Sequence, residues 1–232
     1  MRHEIWRVAD GFFPSGSRLL DLGCGTGEDA IHFARNGVVV TAIDIAPGMI
    51  AQVRMKAHDS GLSERVNAKV ADIQTFEPEI GMFDGIFSNF GAINCVRPLT
   101  ALRDIAARAL KPHAPLLLVT MGRFYPFESL VFLLKGDVRR AFVRLKRKPE
   151  ANIEGVPISL SYYSPRELRA ALGHDFSLEQ LRGLRSLVPS PSLEHISRFL
   201  PMRFMRRLDS VATKFRPTAP LADHYISVWR RQ

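Results

Sequence analysis

The sequence predicts an α/β fold in which strands and helices alternate around a mostly parallel sheet. Three observations carry that expectation. The stretch LLDLGCGTGEDA (19–30) is an apolar run that stops at glycines spaced two apart and then turns acidic. Five short β-rich runs alternate with helical patterns between residues 18 and 122. The rest of the chain breaks this rhythm and carries the basic charge.

Taken in order, Arg18 to Leu22 reads as a buried strand closed by glycines. Glu28 to Asn36 places Ala30, Ile31, Phe33 and Ala34 for a helix that Gly37 ends. VVVTAID (38–44) is β-branched and reads as the second strand; Pro47 suits a first helical position, and that helix runs to about Ser60, with Gly61 ending it. VNAKVADI (66–73) and FDGIFSNF (83–90) are the third and fourth strands, Pro98 to Leu110 a helix, and PLLLVTMG (115–122) the fifth strand. Such alternation builds βαβ units with both sheet faces covered. FSLEQLRGL (176–184) and DHYISVWRR (223–231) are strand-like and fit a hairpin of strands six and seven at one side of the sheet.

At 232 residues, 46% hydrophobic and 24% charged, the chain has the make-up of one soluble globular domain with additions. No stretch approaches the roughly 20 apolar residues of a spanning helix, since Lys135 cuts FESLVFLLKG short. MRHEIWRVADGFF has charges through its first ten residues and no apolar signal core, so a cytoplasmic location is expected. Cys24 and Cys95 form neither a disulfide framework nor a metal pattern, and no metal is expected. Residues 1–122 hold 12 Lys/Arg against 13 Asp/Glu, and residues 123–232 hold 20 against 10, so the net +9 belongs to the C-terminal half.

The glycine turn selects its ligand by charge. Glycines let a ligand approach the backbone closely. A dinucleotide fingerprint needs glycine or alanine at position 28; Glu28 and Asp29 stand there instead and repel a pyrophosphate at the helix start. S-adenosyl-L-methionine has no phosphate and carries a sulfonium and an ammonium. Asp44 ends the second strand 19 residues beyond Gly25, a spacing that lets a carboxylate accept from both ribose hydroxyls. Asp72 ends the third strand, placed for the adenine amino group, with Ile45, Met49 and Ile73 as apolar walls, and Asp21 lies under the turn, placed for the ammonium.

These motifs resemble the class I S-adenosylmethionine-dependent methyltransferases of the small-molecule type. LLDLGCGTGEDA resembles their first motif, AIDIAPGMI (42–50) their acidic loop, ADIQTF (71–76) their adenine motif, FDGIFSNFGAINCV (83–96) the fourth strand and LKPHAPLLLVTMG (110–122) the fifth. The resemblance is close over 16–122 and loose over 162–232. It implies a Rossmann-like doubly wound sheet of seven strands with strand seven antiparallel. The cofactor would lie at the carboxyl ends of strands one to three, against Asp21, Gly23, Cys24, Gly25, Gly27, Asp44, Ile45, Met49, Asp72, Ile73, Asn89 and Phe90, and the acceptor near strands four and five. Members that methylate base amines usually carry Asp/Asn-Pro-Pro-aromatic after strand four; SNFG (88–91) stands here, which disfavours nucleobase amines.

The expected organisation is a cofactor-binding part over 1–122, helical caps over 123–161 and 185–222, a return to the core over 162–184, and a last strand over 223–232. In this topology both insertions emerge over the site, and long connections are more often functional than idle. The first carries Phe127, Leu130, Val131, Leu134, Val138, Phe142 and Leu145 near helical spacing, broken at Gly136, with Asp137 capping a second helix. The second carries Leu193, Ile196, Phe199, Phe204, Met205 and Leu208 among Arg198, Arg203, Arg206 and Arg207, divided at Pro201. Three readings stay open: packed apolar sides with solvated arginines, a greasy tunnel whose basic rim touches anionic membrane or a carrier-bound substrate, and a nucleic-acid surface for an RNA/DNA-binding protein or methyltransferase. Few aromatics stand among the basic residues, so nucleic acid is disfavoured and a hydrophobic small molecule is the expected substrate. Asn94, Arg123, Tyr125 and Tyr163 are expected at the acceptor pocket. Of the histidines, His195 and His224 lie nearest the cap and the seventh strand, but spacing assigns no catalytic base.

Overall fold

A computed structural model describes residues 1–145, 150–153, 156–186, 205, 207, 209 and 216–232. Its centre is a seven-stranded sheet of β1 (Arg18–Leu22), β2 (Val39–Asp44), β3 (Val66–Val70), β4 (Gly85–Ser88), β5 (Pro115–Met121), β8 (Phe176–Leu184) and β9 (His224–Arg231). Their order across the sheet is β3-β2-β1-β4-β5-β9-β8. The pairs from β3 to β5 are parallel, and β9 runs antiparallel between β5 and β8. This is the Rossmann-like doubly wound sheet with an antiparallel last strand that the sequence predicts.

The chain reverses direction across the sheet between β1 and β4, opening a crevice at the carboxyl ends. Helices α2 (Glu28–Arg35) and α3 (Pro47–Asp59) cover one face, and α4 (Leu99–Ala109) and α7 (Pro165–Leu172) the other. Ser164 caps α7 by a reciprocal capping box with Glu167. The third strand ends at Val70 rather than running on to 73. Asp72 turns its carboxylate back onto the Gln74 N–H at 2.9 Å, which closes a turn where the ladder would have continued.

Two elements were not legible as such. The first is α1 (Arg2–Ala9), whose Ile5 and Ala9 are fully buried against the sheet. The charges between them obscured an i, i+4 apolar pair. The second is a hairpin of β6 (Glu150–Ile153) and β7 (Val156–Ser159) inside the first insertion, after α5 (Pro126–Leu134) and α6 (Val138–Ala141). The helix break at Gly136 and the cap stand as read: Asp137 accepts the Arg140 N–H. The second insertion's Leu193, Ile196, Phe199, Phe204 and Leu208, with Arg198, Arg203 and Arg206, lie outside the described residues, as does His195.

Candidate active site

A crevice of about 340 Å³ opens at the carboxyl ends of β1, β2, β4 and β5. The three glycines of the first turn do different work. A Cβ on Gly23 would stand 2.3 Å from that of Ala92, and one on Gly27 would stand 2.8 Å from Val53. Both also have positive φ, so packing and backbone together exclude a side chain there. Gly25 has a positive φ too, yet a Cβ there meets nothing within 4 Å; its free side faces the crevice.

The floor is acidic. Asp44 accepts the Gly25 N–H through Oδ2 and the Ala46 N–H through Oδ1, both at 2.9 Å, which fixes its carboxylate and leaves one acceptor site on each oxygen. Asp21 is 1% exposed, and its Oδ2 has no hydrogen-bond partner among the described residues. Burial pushes its carboxyl well above the usual range, and Asp29 and Asp44 push it further. A buried carboxyl with one unpartnered oxygen, beside two further carboxylates, suits a cation.

The start of α2 is already filled with negative charge. Glu28 pairs with Lys56 at 2.6 Å, which lowers its pKa. Asp29 is buried and accepts from the Trp6 indole at 2.7 Å and the Asn89 amide at 2.9 Å. No phosphate can share that helix end without meeting both carboxylates.

Helix α1 supplies what the sequence reading missed. Trp6 stacks on His32 with ring centroids 4.0 Å apart while bonding Asp29. Arg2 reaches into the crevice 3.7 Å from Asp29 and lies over the Phe90 ring at 4.7 Å. It is the one cation among the described side chains that line the crevice, and its charge suits a ligand carboxylate. The i, i+4 spacing of Arg2 and Trp6 was the available signal, but only for a reader who had already placed a helix there. Phe90 holds a left-handed backbone conformation with φ 47°, its N–H accepted by the Asn89 side chain at 2.7 Å. Strain of this kind gathers at functional sites.

Of the predicted cofactor residues, Gly23, Cys24, Gly25, Asp44, Asn89 and Phe90 line the crevice. Asp21 lies buried on β1, and Gly27 caps α2. Ile45 is exposed beyond β2, Met49 is half-buried on α3, and Asp72 and Ile73 are half-buried past β3; none of the four lines the crevice, although Ile73 lies within 3.5 Å of where a Gly23 Cβ would be. Burial pushes the Cys24 thiol strongly up, away from reactivity.

The four residues expected at the acceptor pocket are tied up in internal contacts, and none lines the crevice. Asn94 is fully buried and binds the Met121 backbone on both sides and the Ser161 carbonyl. Arg123 pairs with Glu167, and Tyr125 is 1% exposed. Tyr163 donates to the Val96 carbonyl at 2.7 Å. Sequence position brought them to the right end of the sheet; satisfied polar groups made them struts. Among the described residues no group of His, Cys, Asp and Glu could hold a metal.

The sheet order, the phosphate-repelling helix start and the carboxylate that ends β2 define a Rossmann-like nucleoside-binding domain suited to a cationic ligand. A methyltransferase-domain profile matches residues 19–113. The ubiquinone biosynthesis O-methyltransferase of Xylella fastidiosa (strain 9a5c) is 32% identical over 180 residues, covering 74% of this chain and 65% of that protein. The S-adenosylmethionine-dependent methyltransferase of Mesorhizobium loti superposes with a TM-score of 0.64 at 18% identity, covering 97% of each chain. The geranyl diphosphate C-methyltransferase of Streptomyces coelicolor A3(2) superposes with a TM-score of 0.64 at 14% identity, over all of this chain and 80% of that one. Over its cofactor-binding half the chain is similar to the class I S-adenosylmethionine-dependent methyltransferase family. It spans about half to two-thirds of the length of the curated relatives it matches.

The cofactor of this family is S-adenosyl-L-methionine, and the residues present fit it. The free acceptor sites of Asp44 suit a ribose diol, the unpartnered oxygen of Asp21 suits a cation, Arg2 suits a carboxylate, and the open side of Gly25 admits the ligand.

Proposed function

We propose that this protein methylates a hydroxyl oxygen on a hydrophobic small molecule. The observation that carries the reading is the crevice itself, acidic at the floor, closed to phosphate at α2 and open toward the ends of β4 and β5. The bound sulfonium supplies both the methyl group and its leaving group. What remains for the protein is alignment, exclusion of water and removal of a proton. Asp44 and Arg2 orient the ligand from opposite ends, and α1 covers it. The fold leaves the acceptor atom open, since one relative is named for O-methylation and one structural neighbour for C-methylation. The relatives above 30% identity favour oxygen.

The first insertion supports an apolar substrate drawn from a membrane surface. Leu130, Leu134, Val138 and Phe142 are exposed on α5 and α6 and beside them, alongside Lys135, Arg139 and Arg140. Apolar side chains ringed by basic ones favour an anionic lipid surface. The enzyme works from the cytoplasm and visits the bilayer surface through this patch. No helix among the described residues is long and apolar enough to cross a membrane.

The test is incubation with trideuteromethyl cofactor and a total lipid and metabolite extract, followed by mass spectrometry. Label in a methyl ether that partitions into organic solvent is expected. Label confined to nucleic acid or to water-soluble amines overturns the reading. Cosedimentation with phosphatidylglycerol vesicles, lost in a Leu134→Glu, Val138→Glu variant, tests the membrane arm; equal sedimentation of both proteins removes it.

A further inference from the structure

We propose that His224, oriented by Asp223, is the general base that takes the acceptor's hydroxyl proton. This rests on the reading of the protein as an oxygen methyltransferase. His224 opens β9 opposite Met121 of β5, at the carboxyl end of the parallel strands, and Met121 lines the crevice. It shares strand parity with Ile226 and Val228, which pack in the core beneath α1, so it lies on the α1 face of the sheet. Its ring stands edge-to-face with Phe90 at a centroid distance of 6.5 Å, one side chain behind the crevice wall that Arg2 covers.

The histidine is held by one nitrogen. Nδ1 lies 3.1 Å from Asp223 Oδ2. An ionised carboxylate only accepts, so Nδ1 carries the proton and Nε2 is left as the acceptor. Nε2 makes no hydrogen bond among the described residues, and the residue is not sealed, with 9% exposure.

Asp223 is ionised for a structural reason. It is 2% exposed, and burial alone would raise its pKa; bonds and charge from His224 and Arg144 instead hold it down at about 2. Arg144 lies between Asp223 at 2.6 Å and Glu128 at 2.5 Å, also donates to the Asp223 carbonyl, and faces the rings of Tyr125 and Tyr162. Asp223 thus faces His224 as a carboxylate with which an imidazolium can pair. Of the other neighbours, Met121 and Leu184 flank it uncharged in the sheet, Arg185 offers its carbonyl to the Asp223 N–H, and Arg2 is across Phe90.

The step balances. As Nε2 takes the hydroxyl proton, the oxygen's electron pair forms the O–CH3 bond and the electrons of the S–CH3 bond return to sulfur. The products are a methyl ether, a neutral thioether and an imidazolium that gives its proton to water.

The experiment has two arms. Nitrogen-15 NMR of the free protein, recorded at a pH where the imidazole is neutral, should place the ring proton of His224 on Nδ1, a preference lost in Asp223→Asn; a proton on Nε2 in the wild-type protein overturns the assignment. In turnover with a series of phenols, His224→Gln should lose about 10²- to 10⁴-fold in kcat/KM while keeping its affinity for S-adenosylhomocysteine, and the loss should grow as the phenol becomes less acidic. A loss independent of phenol acidity means a structural role, and an unimpaired variant removes His224 from the chemistry. Either result leaves methyl transfer standing, whereas a wild-type protein that methylates only amines, or nothing, overturns the oxygen reading and the base with it.

Discussion

Replacing Asp44 by alanine separates ligand recognition from turn structure. Each carboxylate oxygen already accepts one backbone N–H and has one site left, so the side chain can take both ribose hydroxyls at once. A hydrogen bond to a charged group contributes about 1.5–3 kcal/mol, so the pair is worth about 3–6 kcal/mol, or roughly 10²- to 10⁴-fold in Kd. The same substitution releases the N–H groups of Gly25 and Ala46. Both are half-exposed and water can reach them, so the cost to folding is about 1 kcal/mol each, a fall in Tm on the order of 4–8 °C. Calorimetric titration with S-adenosylhomocysteine and with its 2′,3′-dideoxyribose analogue isolates the contact: the wild-type protein should prefer the natural ligand strongly, and Asp44→Ala should bind the two alike. If the folded variant keeps its affinity for S-adenosylhomocysteine, or still discriminates between the two ligands, the ribose does not lie on Asp44.

Asp21→Asn should raise the Tm of the free protein and weaken the cofactor. A carboxyl whose folded pKa is raised costs stability as pH rises through the range between its unfolded and folded values, so neutral asparagine relieves that cost and loses the seat for a cation. By the same sign, cofactor binding to wild-type protein should release a proton and weaken as pH falls, which calorimetry in buffers of different ionisation enthalpy will show. Asp223 has the opposite sign: held at about 2, it contributes on the order of 2 kcal/mol that is present above the unfolded carboxylate range and lost as pH falls through that value, readable as acid unfolding shifted upward in Asp223→Asn. Gly27→Ala should destabilise by more than about 1 kcal/mol in urea because Val53 occupies the Cβ position at a positive φ, whereas Gly25→Ala should fall mainly on cofactor affinity.

The sheet was readable because its signals are local. Apolar runs closed by glycines, a proline opening α3 and a glycine beyond α2 each announce an element within a few residues, and right-handed parallel connections leave few ways to assemble them. The crevice floor was readable for the same reason, since Gly25 and Asp44 lie at successive strand ends whose order the topology dictates. What escaped was long-range. Arg2 and Trp6 matter because α1 folds back over Asp29, and Arg144 because it meets Asp223 across 79 residues. Asn94 and Tyr125 follow strands four and five, as read, but whether a polar side chain faces a pocket or satisfies a backbone carbonyl depends on partners that spacing does not reveal.

An adenosine with a cationic sulfur is expected on the carboxylates at the strand ends, with nothing anionic at the start of α2. A crystal structure grown with S-adenosylhomocysteine, with NADH offered in parallel crystals, tests it most directly. Ribose hydroxyls on Asp44, the ligand's carboxylate beside Arg2 and its ammonium toward Asp21 are the expected result. A dinucleotide filling the crevice, its pyrophosphate beside Gly25 and the thioether ligand absent, would contradict it.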